Sequence, residues 1–151
     1  EIQRLAKVVT AKPGSPYDGK KLYAASCAAC HRLFEQGGQI GPDLTAYQRD
    51  DLDTMLLNII NPSAEIREGY ENFLLTTKDD RLASGFLVEQ DNRSVVLRGL
   101  DGQDMTFIRE EIRELKAQGL SLMPGGLLAG YNDAQIRDLM AYLRSSQPLN
   151  N

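Results

Sequence analysis

The 151-residue chain, 42% hydrophobic, has apolar material for one compact domain with its own core and too little length for two of ordinary size. Its formal net charge of −4 offers no basic surface of the kind that tracks a phosphate backbone, so nucleic acid is excluded as an expected partner. No apolar run approaches the roughly 20 residues that span a bilayer, and no membrane span is expected within the chain.

The chain opens at Glu1 rather than Met and carries no secretory signal, so it is expected to be a processed mature form or a piece of a longer protein. Ile2, Leu5, Ala6 and Val9 recur at helical spacing and stop before Pro13, which predicts a short amphipathic helix and then a turn-rich linker over 12–15. Residues 1–14 are therefore set apart from a main domain over 15–151. A second helix is predicted from Ser15 toward Cys27, with Ser15 as N-cap, Pro16 at the first helical position and Asp18 at the third. Over 33–44 the glycines at 37, 38 and 41, with Pro42, argue against a regular element and let the backbone pass close to something bulky. A third helix over 50–60 presents Leu52, Met55, Leu56, Ile59 and Ile60 on one face and is stopped by Asn61-Pro62.

After Tyr70 the period changes. Runs over 70–77, 82–90, 94–100 and 104–108 read as strands separated by polar turns. Helical character returns over 109–115. A loop then carries Met123-Pro124-Gly125-Gly126, and a last helix begins near the N-cap Asn132 with Ile136, Leu139, Met140 and Leu143 on one face. The expectation is a mainly α chain with a small antiparallel β-sheet or barrel inserted at about 67–110, between the middle helix and the methionine loop.

The only two cysteines and the only histidine of the chain stand together in Cys27-Ala28-Ala29-Cys30-His31. This is the spacing that attaches a c-type haem: the two thiols add to the vinyl groups, and the next residue supplies an imidazole to the iron. A thioredoxin-like dithiol needs a βαβ setting that the flanking helix and glycine-rich loop do not provide. A structural zinc site fails on ligand count, since three donors do not close a tetrahedron.

With no second histidine, a sixth iron ligand must come from Met55, Met105, Met123 or Met140. Met55 and Met140 sit on apolar helix faces and Met105 in a strand pattern, where core packing is the default. Met123, followed by Pro124 and two glycines, lies in irregular backbone that can approach the iron opposite His31. The second nitrogen of His31 should donate to a carbonyl that sets its tautomer, and Pro42 in the site loop is the candidate acceptor. Tyr47, Arg49, Arg113 and Lys116 are available as donors to anionic propionates.

The helix with Gly19 and Tyr23, the motif at Cys27, then Gly41-Pro42-Asp43-Leu44, Met123-Pro124 and a closing helix ending Leu139-Met140-Ala141-Tyr142-Leu143 together resemble class I cytochromes c. That resemblance implies that the first and last helices cross and pair Tyr23 with Tyr142. Over about 15–145 the chain is also similar to a haem-binding domain family named for planctomycete and verrucomicrobial proteins. The segments that carry this likeness are Ile40-Gly41-Pro42-Asp43-Leu44-Thr45, Asn61-Pro62-Ser63 with Ile66 and Tyr70, and Ser121-Leu122-Met123-Pro124 with Gly126-Leu127. It implies a β region inserted before the methionine loop and a place at the C-terminal end of a large exported protein, often behind a dehydrogenase-like region. The helix at 2–9 could then be the tail of such a neighbour.

The functional expectation is a monohaem c-type cytochrome domain that carries single electrons by Fe(II)/Fe(III) cycling. One haem c would be covalently attached at Cys27 and Cys30, with His31 and Met123 as axial ligands. The domain alone would not be an enzyme. Its partner would be a redox protein or a fused dehydrogenase domain, and covalent haem attachment implies the periplasm or another exported location. The rival is a ligand-binding or peroxidase-like haem protein in which Met123 is labile.

Overall fold

The computed structural model describes residues 1–149. Helix α1 (Ile2–Ala11) leads into α2 (Pro16–Ser26), whose first turn is closed by Ser15: its hydroxyl accepts from the Asp18 N–H at 3.3 Å. A two-residue-per-strand hairpin follows, β1 (Arg32–Leu33) with β2 (Gln36–Gly37). Helix α3 (Leu52–Ile60) is N-capped by Asp51, which accepts from the Thr54 N–H at 3.2 Å. Five strands come next: β3 (Glu71–Thr77), β4 (Leu82–Gln90), β5 (Ser94–Arg98), β6 (Asp104–Ile108) and β7 (Ile112–Ser121). Helix α4 (Asp133–Leu143) closes the fold behind a reciprocal Asn132–Gln135 capping box.

The chain divides into two compact units, Glu1–Ala64 with Pro124–Asn151, and Glu65–Met123. In the first, Gly14 and Gly19 let α4 approach closely: a Cβ at Gly19 would stand 1.8 Å from the Asp138 carbonyl oxygen, and one at Gly14 2.2 Å from that of Arg137. Ser15 N–H donates to Asp138 Oδ1 at 2.8 Å. At the crossing Tyr23 and Tyr142 pack as the resemblance implied, ring centroids 5.3 Å apart and planes at 56°. Leu5, Leu33, Leu56, Leu139, Met140 and Leu143 are fully buried around this contact, each contributing about 2 kcal/mol of apolar burial.

The second unit is one antiparallel sheet in the order β6-β5-β4-β3-β7. Leu75, Val95 and Leu97 form its buried centre, with Phe73, Leu87, Met105, Phe107 and Leu115 around them on the same face.

Two expectations are corrected. The chain is not mainly α: the described residues hold four α-helices beside a five-stranded sheet and the two-stranded hairpin. Part of the difference lies at 109–115, read as helical, where only a 3-10 turn over Arg109–Glu111 forms before β7. Ile112 and Leu115 are three apart yet pair with Thr77 and Leu75, because a register shift between Thr76 and Thr77 takes up one residue. That bulge copies a helical period inside a strand. The second correction is the hairpin within 33–44, where no regular element was expected. Its turn places Phe34 at φ 51° and Glu35 at φ 65°, the two consecutive left-handed residues that a tight two-residue loop requires, without the glycine or asparagine that would have announced it.

Candidate functional site

The winding of Cys27-Ala28-Ala29-Cys30-His31 is set by backbone hydrogen bonds. The Cys27 and Ala28 N–H groups both donate to the Tyr23 carbonyl, at 2.8 and 2.9 Å, ending α2; those of Cys30 and His31 donate to the Cys27 carbonyl, at 3.1 and 2.9 Å. The segment is therefore wound into a single turn that presents both thiols and the imidazole from a short arc. The glycine-rich loop lies directly against it, with Gly38 N–H donating to Ala28 O and Gly41 N–H to Cys30 O, each at 2.7 Å. A Cβ at Gly37 would come within 2.1 Å of the His31 carbonyl oxygen, so this approach requires glycine.

The imidazole is held on two sides. His31 Nδ1 lies 2.8 Å from the Pro42 carbonyl oxygen, which fixes Nδ1 as the protonated nitrogen and leaves Nε2 as the one with a free lone pair. A Cβ at Gly41 would stand 2.8 Å from His31 Cε1, so the ring rests against bare backbone. Tyr23 supports the same residue from beneath, its hydroxyl donating to the His31 carbonyl at 2.9 Å. Burial, with Cys27 and Tyr142 adding to it, pushes the Tyr23 phenol well above its ordinary value and keeps it a neutral donor.

Cys27 and Cys30 are not joined in a disulfide. Burial, reinforced by Cys30, pushes the Cys27 thiol up to about 11, the reverse of the depressed value that makes a dithiol a redox nucleophile. No βαβ unit surrounds the pair among the described residues. The thiol-exchange reading therefore loses both its setting and its chemistry.

Cys27, Cys30, His31 and Pro42 come together within the first unit. Met123 is the last residue of the second, half-buried, with its N–H donating to Ser121 Oγ at 3.1 Å. Met55 and Met140 are buried in the first unit's core, and Met105 packs against the second's. Of the charged candidates, Arg113 pairs with Asp80 and Lys116 is exposed on β7. Arg49 is buried: its guanidinium lies 4.9 Å over the Phe34 ring and donates to the Leu143 and Ser145 carbonyls at 2.8 and 2.6 Å, while Nε is buried without a partner.

Sequence reasoning missed Gly41 as the floor of the imidazole, Tyr23 as its support, and the contact of Ser26 with Tyr131. The Gly41-Pro42 step carried the available signal for the first, since only a residue without Cβ lets a ring lie against the chain just before the carbonyl that orients it.

The family model described as Cytochrome c matches residues 17–97. The chain belongs to the cytochrome c family. The match runs from the first turn of α2 through β5 and ends before Met123, so it covers the turn at Cys27 and the Pro42 loop. No curated protein matches the chain. As a cytochrome c domain it is a haem-based electron-transfer module, of a kind that works with redox partners and in bacteria is usually exported. No helix among the described residues is long and apolar enough to cross a membrane.

The residues present fit such a haem. The cytochrome offers two unpaired thiols at the attachment spacing, an imidazole with its tautomer already set, and in Arg49 Nε a buried donor that an anionic propionate would satisfy.

Proposed function

We propose that this cytochrome c domain carries single electrons through one haem, attached by thioether bonds at Cys27 and Cys30, with His31 and Met123 as axial ligands. The observation that carries the reading is the His31–Pro42 hydrogen bond beside the wound Cys27–His31 turn: it occupies Nδ1 and leaves Nε2 free to bind a metal.

The haem supplies an iron centre that changes oxidation state by one electron. The protein supplies the rest. The Pro42 carbonyl accepts a hydrogen bond from Nδ1–H and holds the tautomer with Nε2 free; Gly41 lets the ring lie flat; Tyr23 fixes the backbone of His31 from the core side. Tight backbone winding allows little reorganisation when charge changes, which favours fast transfer. Met123 is read as the sixth ligand because the other three methionines are packed among apolar side chains.

The domain is further read as exported and as serving a redox partner or a fused dehydrogenase-like domain. Support comes from the motifs around Gly41-Pro42-Asp43, Asn61-Pro62-Ser63 and Met123-Pro124.

An optical spectrum of the protein matured by a host competent in covalent haem attachment tests this, taken oxidised and reduced, before and after acid–acetone extraction. Haem retained after extraction, a low-spin reduced spectrum and the weak red sulfur-to-iron band of the oxidised form are expected. Retained haem without that band, together with rapid carbon monoxide binding when reduced, would move the function to ligand binding. Two titratable thiols after denaturation would end the haem reading.

A further inference from the structure

Ser26 is the last residue of α2 and the neighbour of Cys27; its hydroxyl is hydrogen-bonded to the phenol of Tyr131, 105 residues later in the chain. Both side chains are half-buried. Tyr131 closes a run of turns that follows Pro124: Ala129 N–H donates to Gly126 O and Tyr131 N–H to Leu128 O, each at 3.1 Å, and Asn132 then caps α4. Leu128 is only 8% exposed and seats this run in the core. Tyr131 lines a cavity of 290 Å³ with apolar Leu5, Ile59, Leu128 and Ile136 and charged Glu1, Arg4 and Asp133, and its hydroxyl is bonded to Ser26.

We propose that the Ser26–Tyr131 pair is a latch: it ties the return segment of the methionine loop to the residue preceding the attachment cysteine, and so governs how firmly Met123 holds the iron. The inference rests on the reading of Met123 as sixth ligand. Seven residues, Pro124 to Gly130, separate that ligand from the latch, and three of them are glycine. Such a segment is flexible unless its far end is fixed, and each tether at that end reduces the conformations in which the sulfur is away from the iron. Tyr131 and Ser26 are positioning residues in this scheme; neither touches the iron.

The test uses the haem-loaded protein and its variants Tyr131→Phe, Ser26→Ala, Ser26→Thr and the double variant Ser26→Ala/Tyr131→Phe. Imidazole is titrated into the oxidised form while the sulfur-to-iron band is followed, and thermal melting is recorded beside it. Loss of one half-buried hydrogen bond corresponds to imidazole binding roughly tenfold tighter in Tyr131→Phe and in Ser26→Ala, because the competing methionine is held less well. The double variant should bind no tighter than either single one, and Ser26→Thr, which keeps the hydroxyl, should match the wild type. Ser26→Ala removes one helix-end hydroxyl and keeps the comparison readable if Tyr131→Phe folds poorly. Equal imidazole affinity across the set overturns the latch, as does a lowered melting temperature with unchanged affinity, which is the signature of a plain structural bond. If the wild type lacks the band, methionine ligation fails and the latch fails with it; if the wild type has the band and the variants bind imidazole as it does, the latch alone fails.

Discussion

His31 Nδ1 and the carbonyl oxygen of Pro42 are 2.8 Å apart, a side-chain-to-backbone hydrogen bond whose acceptor survives any substitution at position 42 and is weakened there only through a change in backbone aim. Pro42 holds that aim through its fixed φ. In the haem-loaded Pro42→Ala variant the Nδ1 proton should therefore exchange with solvent on the order of tenfold faster than in the wild type, measured by NMR, as expected for partial loss of one hydrogen bond. An unchanged exchange rate would show that the loop glycines alone aim the carbonyl.

Gly41→Ala places a Cβ 2.8 Å from His31 Cε1, between backbone and a ring that is already tethered on its other side. The cost is about 2 kcal/mol of overpacking, together with a poor yield of protein carrying haem. Gly130→Ala, whose Cβ meets nothing within 4 Å, should stay within about 0.5 kcal/mol of the wild type in chemical denaturation. A comparable loss in both variants would mean that the effect does not come from contact with the ring, since the entropy of the unfolded chain alone favours alanine over glycine.

The helix crossing predicts a larger loss. Gly19→Ala would drive a methyl group into the Asp138 carbonyl and the Tyr142 Cβ, where both contacts belong to rigid α4. Destabilisation of about 3 kcal/mol is expected, with the Tyr23–Tyr142 contact disrupted and tyrosine fluorescence altered.

Arg49→Met retains length and apolar stem but removes the donors to Leu143 and Ser145, the carbonyls at the end of α4. The expected loss is about 3 kcal/mol, since hydrogen bonds from a charged group are worth about 1.5 to 3 kcal/mol each and the methionine recovers part through packing on Phe34. Arg49→Lys keeps the charge but not the flat stack over the ring, and should recover less than half, as read by urea unfolding.

Alkaline stability should distinguish protein with and without attached haem. Burial raises the Cys27 thiol from its ordinary 9.0 to about 11. The folded state thus keeps a proton that the unfolded chain releases, and the stabilisation is whole below pH 9 and lost as pH rises from 9 to 11. For the haem-free protein this loss is about 3 kcal/mol. Once Cys27 is a thioether it has no proton to lose, and the term vanishes; Tyr23 and Tyr142, both raised chiefly by burial, still titrate in either form. Urea unfolding at pH 8 and pH 10.5 on both forms measures the difference.

Much of the site was legible because its chemistry demands particular residues at particular spacing. Two thiols and an imidazole must sit within five positions, and the partner carbonyl must come from a loop that can pass close, so Cys27, Cys30, His31 and Pro42 could all be named in advance. The N-caps Ser15 and Asn132 and the strand over Leu82–Gln90 were legible for the same local reason. What could not be read depends on distant contacts or irregular backbone. The bulge that brings Ile112 and Leu115 to one face makes a strand look helical, and the Phe34–Glu35 turn lacks its usual residues. Arg49 was named only as a donor available to a propionate; it is buried because the end of α4 and the Phe34 ring meet there, and nothing near position 49 in the chain announces either partner.

The division of the chain has a consequence for the order of assembly. The sheet unit is one continuous stretch, Glu65–Met123: β3 to β6 pair as sequence neighbours and β7 returns to β3, so its pairing is complete within the stretch. The other unit differs: α2 finds its main partner in α4, which is made last, and until then Gly14, Gly19 and Tyr23 have nothing to pack against. The Cys27–His31 turn itself is closed by local hydrogen bonds to the Tyr23 and Cys27 carbonyls, whereas the face of α2 that carries Gly19 and Tyr23 stays uncovered until α4 follows. Closing of the helix pair is left as the step that covers Tyr23, the support of His31, and completes the unit.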